Sequence, residues 1–180
     1  MKYRFPFLII LSILCFQVKG QVMPFQGTGL NDEEYKVIND LYGNKGSEIL
    51  IFPITDFSKT WSYLMEPAFL DNLYGPPCNN GKEIIEWENI FSLDVFGIIR
   101  DSIIRMTPHK LNQTKLSENI NLVNSYDNAE VTYISKPIIM NGFAIIKQSN
   151  HSNELIIIAA IQQGKWEPIC RKWVVLTIDD

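Results

Sequence analysis

The sequence predicts an α+β domain: N-terminal helices packed on a C-terminal antiparallel β-meander. Three observations carry the prediction. Between Asn31 and Pro108, two stretches repeat their apolar residues at spacings of three and four, the period of a helix with one buried face. From Ala129 onward the pattern changes to short runs rich in Ile and Val, separated by Asn-Gly and Gln-Gly turn signals. Helices that precede a block of strands, instead of alternating with them, argue for a helical layer on one face of an antiparallel sheet.

Residues 1–20 read as a secretory signal peptide. Lys2 and Arg4 open it, an almost unbroken apolar run follows from Phe5 to Phe16, and Val18-Lys19-Gly20 offers small or slim residues at a cleavage site. The run is short of the roughly 20 residues that cross a bilayer. A retained anchor is one alternative. A lipidated Cys15 is another, although Ile13-Leu14 stand where a lipidation signal wants small residues. The expected mature start is Gln21. Residues 21–30 hold a proline, two glycines and no periodicity, and read as a flexible lead into one domain spanning 31–180.

Asn31 is placed to cap the first helix, with Asp32, Glu33 and Glu34 in its first turn, where carboxylates suit the helix dipole. Tyr35, Ile38, Leu41 and Tyr42 form its apolar stripe, and Gly43 ends it. Glu48 to Ile54 reads as a short strand. Asp56 is expected to cap a further helix through Trp61, Leu64 and Met65, broken at Pro67 and at the Tyr74-Gly75-Pro76-Pro77 turn. Cys78 falls in the loop that follows, and Glu83 to Ile90 suits either helix or strand. Ser92 caps the next helix, whose Val95, Phe96, Ile99, Ile103 and Met106 share one face. Gly97 weakens it by up to about 1 kcal/mol relative to Ala. Pro108 stops it.

Leu111 to Asn128 is polar, with Ile120, Leu122 and Val123 as one strand. The meander starts with a strand from Val131 to Ile139. Asn141-Gly142 turns the chain into Phe143–Lys147, a polar loop covers 149–153, and Leu155–Gln162 is the most apolar strand. Gln163-Gly164-Lys165 is a hairpin turn, and Trp166 and Trp173 lie on the return path to Ile178. There is no internal repeat and no low-complexity segment.

Charge and cysteines bound the function. The chain has 180 residues, 16 basic and 20 acidic, for a net charge of −4. Loss of Lys2, Arg4 and Lys19 with the leader would leave 13 basic against 20 acidic residues, a net charge of −7. An acidic surface without a Lys/Arg cluster repels phosphate backbones, which argues against nucleic acid and an anionic membrane as partners. Beyond the leader, the apolar run Ile156–Ile161 is too short to span a bilayer, so no transmembrane segment is expected in the mature chain. Cleavage also removes Cys15, leaving Cys78 and Cys170. In an oxidising compartment these either pair or stay as buried thiols; pairing is the expectation, and closing so long a loop is worth about 4–5 kcal/mol in the chain-entropy model.

The chain carries no Gly-x-Ser-x-Gly elbow, His-Glu-x-x-His, phosphate-binding loop or dinucleotide fingerprint. A nucleophilic Cys78 with His109 or His151 as base is conceivable, but both histidines sit in polar segments that read as loops. Glu83, Glu86 and Glu88 around Trp87 could form a carboxylate pair for sugar chemistry; a solvated face is the simpler reading. Capping likewise accounts for Asp32–Glu34 better than a metal site does. Trp61, Trp87, Trp166 and Trp173 could present a binding face, but their apolar neighbours suit core packing. Asn112-Gln113-Thr114 and Asn150-His151-Ser152 match the N-glycosylation pattern, which matters only in a eukaryotic secretory pathway. No catalytic residue, cofactor or metal ligand is assigned.

Three motifs carry a resemblance. They are Ile90-Phe91-Ser92-Leu93-Asp94; Ile134-Ser135-Lys136-Pro137-Ile138-Ile139 followed by Asn141-Gly142-Phe143-Ala144-Ile145-Ile146; and Gln163-Gly164-Lys165-Trp166 leading to Trp173. Residues 90–178, about half of the chain, resemble a family of small secreted or periplasmic proteins of Gram-negative bacteria. Its pattern runs Ser-x-Pro-Ile-Phe, a turn, Tyr-Ala-Ile and Gly-Lys-Trp. The family has no assigned activity, so the resemblance implies an exported molecule and no reaction. Members often carry a Gly- and Cys-rich stretch between the central strands; Gln148-Ser149-Asn150-His151-Ser152-Asn153 stands there instead, so a role of that cluster does not carry over. A Gly-Lys-Trp hairpin also ends many cone-shaped domains of the nuclear-transport-factor-2-like type, which stands as the alternative fold. The expected function is non-enzymatic binding of a protein or cell-envelope partner, with oligomeric state open. The alternative is a small pocket-based hydrolase or isomerase. A deep apolar cavity with convergent polar groups would favour the enzyme, and a filled core with an exposed patch the binder.

Overall fold

A computed structural model of the chain describes residues 29–43, 46–59, 61–62, 65, 78, 92–124, 130–150 and 153–174. The expected signal peptide, most of the lead, Leu64, Pro67, the 74–77 turn, the 83–90 segment and the end of the last strand lie outside the described residues.

The first helix, α1 (Asp32–Tyr42), forms where capping chemistry places it. The Asn31 side chain accepts from the Glu34 N–H, and the Glu34 carboxylate accepts from the Asn31 N–H at 2.8 Å, a reciprocal capping box. Gly43 ends the helix, but not through the left-handed backbone that usually calls for glycine: its φ is −74°. The reason is space, since a Cβ here would strike the Ser117 side chain and the Asn39 carbonyl oxygen. The second helix, α2 (Leu93–Ile104), starts at Ser92, whose side chain caps the Val95 N–H, and buries Phe96, Ile99 and Ile103.

Among the described residues seven strands follow the expected order, with two departures. A small parallel sheet pairs β1 (Ile49–Ile51) with β2 (Ile120–Leu122). The expected strand from Val131 to Ile139 divides into β3 (Tyr133–Ile134) and β4 (Ile138–Met140), which pair side by side with β5 (Phe143–Ser149). Pro137, with no N–H to give, sits at the break. There Ser135 binds Lys147 twice: its N–H donates to the Lys147 carbonyl, and its hydroxyl accepts from the Lys147 N–H at 3.0 Å. The sheet continues through β6 (Glu154–Gln162) to β7 (Lys165–Val174), all antiparallel. Two-residue turns at Asn141-Gly142 and Gln163-Gly164 close the hairpins, each with positive φ at both positions, the arrangement that matches strand twist. The second departure is Asp56. Instead of capping a helix, its carboxylate accepts from the Ser58 N–H in a tight turn and from Lys147.

Both faces of the large sheet are buried, and the two described helices lie on opposite faces instead of sharing one. Ala144, Ile146, Leu155, Ile157 and Ala159 pack with the α1 residues Val37, Ile38 and Leu41. Their alternates Ile145, Ile156 and Ile158 pack with Phe96, Ile99 and Ile103 of α2 and with Trp61 and Met65. The unbroken apolar runs of β5 and β6 are the sequence counterpart, since a strand covered on both faces has no polar alternates. The described sheet is thus an antiparallel meander with an apolar cluster on each face. In the α2-side cluster Cys78 and Cys170, each 4% exposed, lie at disulfide distance with Cα atoms 4.5 Å apart. No helix among the described residues is long and apolar enough to cross a membrane.

Candidate functional site

Of the residues weighed for chemistry, Cys78 and His109 each have structural partners of their own. Cys78 faces Cys170 inside an apolar cluster, so its sulfur is not presented to a substrate beside a base. His109 is buried elsewhere, in the segment after α2: its N–H donates to the Thr55 hydroxyl and its carbonyl accepts from the Thr55 N–H, both at 2.9 Å. His151, Glu83, Glu86, Trp87 and Glu88 lie outside the described residues. Trp61 and Trp166 are core residues, whereas Trp173 is 42% exposed. Two of the three acidic residues that open α1 are committed to structure. Asp32 pairs with Lys115 at 2.7 Å, and Glu34 serves both the capping box and Lys136. The Lys115 hydrogen bond and charge hold the Asp32 carboxyl below its ordinary value, and the same hydrogen bond raises Lys115. Among the described residues no group of three or more His, Cys, Asp or Glu side chains gathers as a metal site.

A buried charge cluster escaped sequence reading. Lys147 is 2% exposed, yet its ammonium lies 3.0 Å from both Asp56 and Glu154. The only sequence signal is a lysine within the apolar run Ala144-Ile145-Ile146-Lys147, and its partners are remote in the chain. The two carboxylates compensate the charge that burial of the lysine would otherwise leave unpaired. The cluster ties the 56–58 turn to β5 and β6, and its chemistry is that of a clasp.

The concave site with available donors is a cleft between the C-terminus of α2 and the β3–β4 step. Its volume is about 410 Å³, and Ser102, Arg105, Thr107, His109 and Lys136 contribute its polar lining. Met106, Pro137 and Ile138 supply the apolar part. Local structure places these side chains. Arg105 is the C-cap residue of α2. Pro108 directs the chain away from the helix and brings His109 against Thr55. Lys136 sits in the β3–β4 step, where its ammonium lies 3.0 Å from Glu34, which the capping box itself holds in position. The Thr107 hydroxyl lies 3.4 Å from the His109 Nε2. No described carboxylate lines the cleft.

A second groove of about 650 Å³ runs beside the outer edge of β2, with Leu111, Gln113 and Leu122 among its walls. There the Gln113 side chain lies along the strand edge. Its Nε2 donates to the Ile120 carbonyl at 2.7 Å and its Oε1 accepts from the Leu122 N–H at 2.9 Å. These are the two bonds that one residue of a further parallel strand would make.

On the opposite side of the sheet, burial pushes the Tyr42 phenol well above its ordinary value, and the neutral hydroxyl donates to Gln148 Oε1 at 3.2 Å. No protein-family model matches the chain, no curated protein matches its sequence, and no solved structure matches its fold.

Proposed function

We propose that the chain is a secreted or periplasmic α+β domain that acts by binding a protein or cell-envelope partner rather than by catalysis. The observation that carries this reading is the filling of the sheet. Both faces are covered by apolar clusters, and the described concavities are open clefts at its margins. A pocket-based hydrolase or isomerase would need an enclosed apolar cavity with convergent polar groups. Surface character agrees with binding. Leu93, 79% exposed, and Ile104 stand on the same side of α2, and Trp173 is exposed on β7. Export is supported by the leader-like residues 1–20, by the disulfide-distance cysteine pair, which we read as oxidised, and by the resemblance of residues 90–178 to small exported proteins.

The test is affinity capture from envelope extract with the mature chain as bait. Repeated recovery of one partner is the expected outcome. Recovery of none, together with a small molecule that the protein turns over, would sink the reading. Fractionation with N-terminal sequencing tests export separately, and the expected first residue is Gln21.

A further inference from the structure

We infer that the cleft between α2 and the β3–β4 step is an oxyanion site, built to take a small phosphate- or carboxylate-bearing molecule. The inference rests on the reading that this chain acts by binding, and it names a ligand class for one site. Four observations carry it.

First, cationic and hydroxyl side chains from separate elements converge on one concavity in a protein whose net charge is −4. Ser102 and Arg105 belong to the end of α2, Thr107 and His109 to the segment after it, and Lys136 to the β3–β4 step. Second, Arg105 and Lys136 keep N–H donors that the protein does not use. Arg105 comes no nearer than 3.9 Å to Asp101, its i,i+4 neighbour, and its side chain is 82% exposed. A pair so long and so open is weak, which leaves a planar guanidinium suited to two-point contact with a carboxylate or phosphate. Lys136 has one carboxylate oxygen of Glu34 at 3.0 Å and three N–H donors. Glu34 thereby works as a tether that holds the ammonium at the rim.

Third, a cation opposes the negative end of the helix dipole: Arg105 is the C-cap residue of α2, and the Asp101 and Ile103 carbonyls accept from the Arg105 and Met106 N–H groups. Fourth, size selects the ligand. A volume of about 410 Å³ is near the lower end of small-molecule pockets, and Met106, Pro137 and Ile138 offer a patch for a short carbon body. A membrane surface is the wrong shape for this concavity, and the acidic remainder of the protein opposes it. The source is therefore a free small anion and not a lipid headgroup.

The experiment is an amide chemical-shift titration of the mature chain with inorganic phosphate at constant ionic strength, repeated with citrate. Saturable shifts confined to residues 102–109 and 136–138 are expected for both. Arg105→Gln, at an exposed position that the fold does not need, should weaken binding about tenfold or more. The absence of saturable shifts, or equal affinity in Arg105→Gln, overturns the site. Co-sedimentation with phosphatidylglycerol vesicles that depends on Arg105 would assign the headgroup as the source and overturn the free-anion form. If phosphate fails while a macromolecular partner is still captured, the cleft inference falls and the binding reading stands.

Discussion

Replacing Gln113 with alanine tests how the outer edge of the sheet is kept closed. In the native chain one side-chain amide satisfies two outward backbone groups of β2, the Ile120 carbonyl at 2.7 Å and the Leu122 N–H at 2.9 Å. A neutral hydrogen bond contributes about 0.5–1.5 kcal/mol net, so two are worth about 1–3 kcal/mol. The Leu122 contact is exposed and water can replace it, whereas the Ile120 carbonyl is partly buried. The lower half of the range therefore applies, about 1–2 kcal/mol. For a domain of this size that lowers Tm by roughly 2–8 °C. Gln113→Glu separates the two bonds. It keeps an acceptor for Leu122 but sets a carboxylate oxygen against the Ile120 carbonyl, so it should cost more than alanine at neutral pH. The assay is thermal unfolding by calorimetry, with sedimentation velocity at rising concentration. An uncovered edge is a template for another strand, so Gln113→Ala should also self-associate. A Tm within 1 °C of wild type and an unchanged sedimentation profile would refute the reasoning.

Four further outcomes follow from other sites. Lys147→Met removes the cation from between Asp56 and Glu154 and leaves two close carboxylates near a buried position; a loss of about 3 kcal/mol is expected by chemical denaturation, and a fully stable variant would show that the clasp is dispensable. Cys78 and Cys170 are 92 residues apart in sequence, and thiol counting on the exported, denatured protein should find no free thiol; reduction should lower Tm markedly, and two titratable thiols would end the pairing. Titration tests two shifted groups. Tyr42 stays neutral in the fold, so its contribution is intact below pH ~10 and is lost as pH rises toward the raised folded value. Ultraviolet titration should show one tyrosine that ionises only with unfolding. Asp32 has the opposite sign: its contribution is present above the ordinary carboxylate range and lost as pH falls through the lowered folded value, and Lys115→Ala should return its carboxyl resonance to an ordinary midpoint.

Local chemistry was legible wherever neighbours in sequence decide the outcome. Asn31 and Glu34 sit three residues apart, and a cap, a first turn and a stripe follow from that spacing alone. The Asn-Gly and Gln-Gly turns were readable because few residues accept positive φ at adjacent positions. Asp56 misled because a short acidic side chain before an apolar stretch resembles a cap, and a distant lysine claimed it instead. Of the cleft, only the helix stop at Pro108 was visible. Its polar lining comes from three segments, and no spacing rule links Arg105 to Lys136.

What the sequence by itself determined is the class of the fold, the order of its helices and hairpins, and the residues that cap and turn them. These depend on interactions within a few residues, whose geometry the backbone fixes in advance. Only the tertiary structure decided that the two described helices take opposite faces, that Lys147 lies between two acids, and that Gln113 closes an edge. Each of these joins groups far apart in the chain. Packing places them together, because an apolar sheet must be covered on both faces and a buried charge must find a partner wherever the fold brings one within reach.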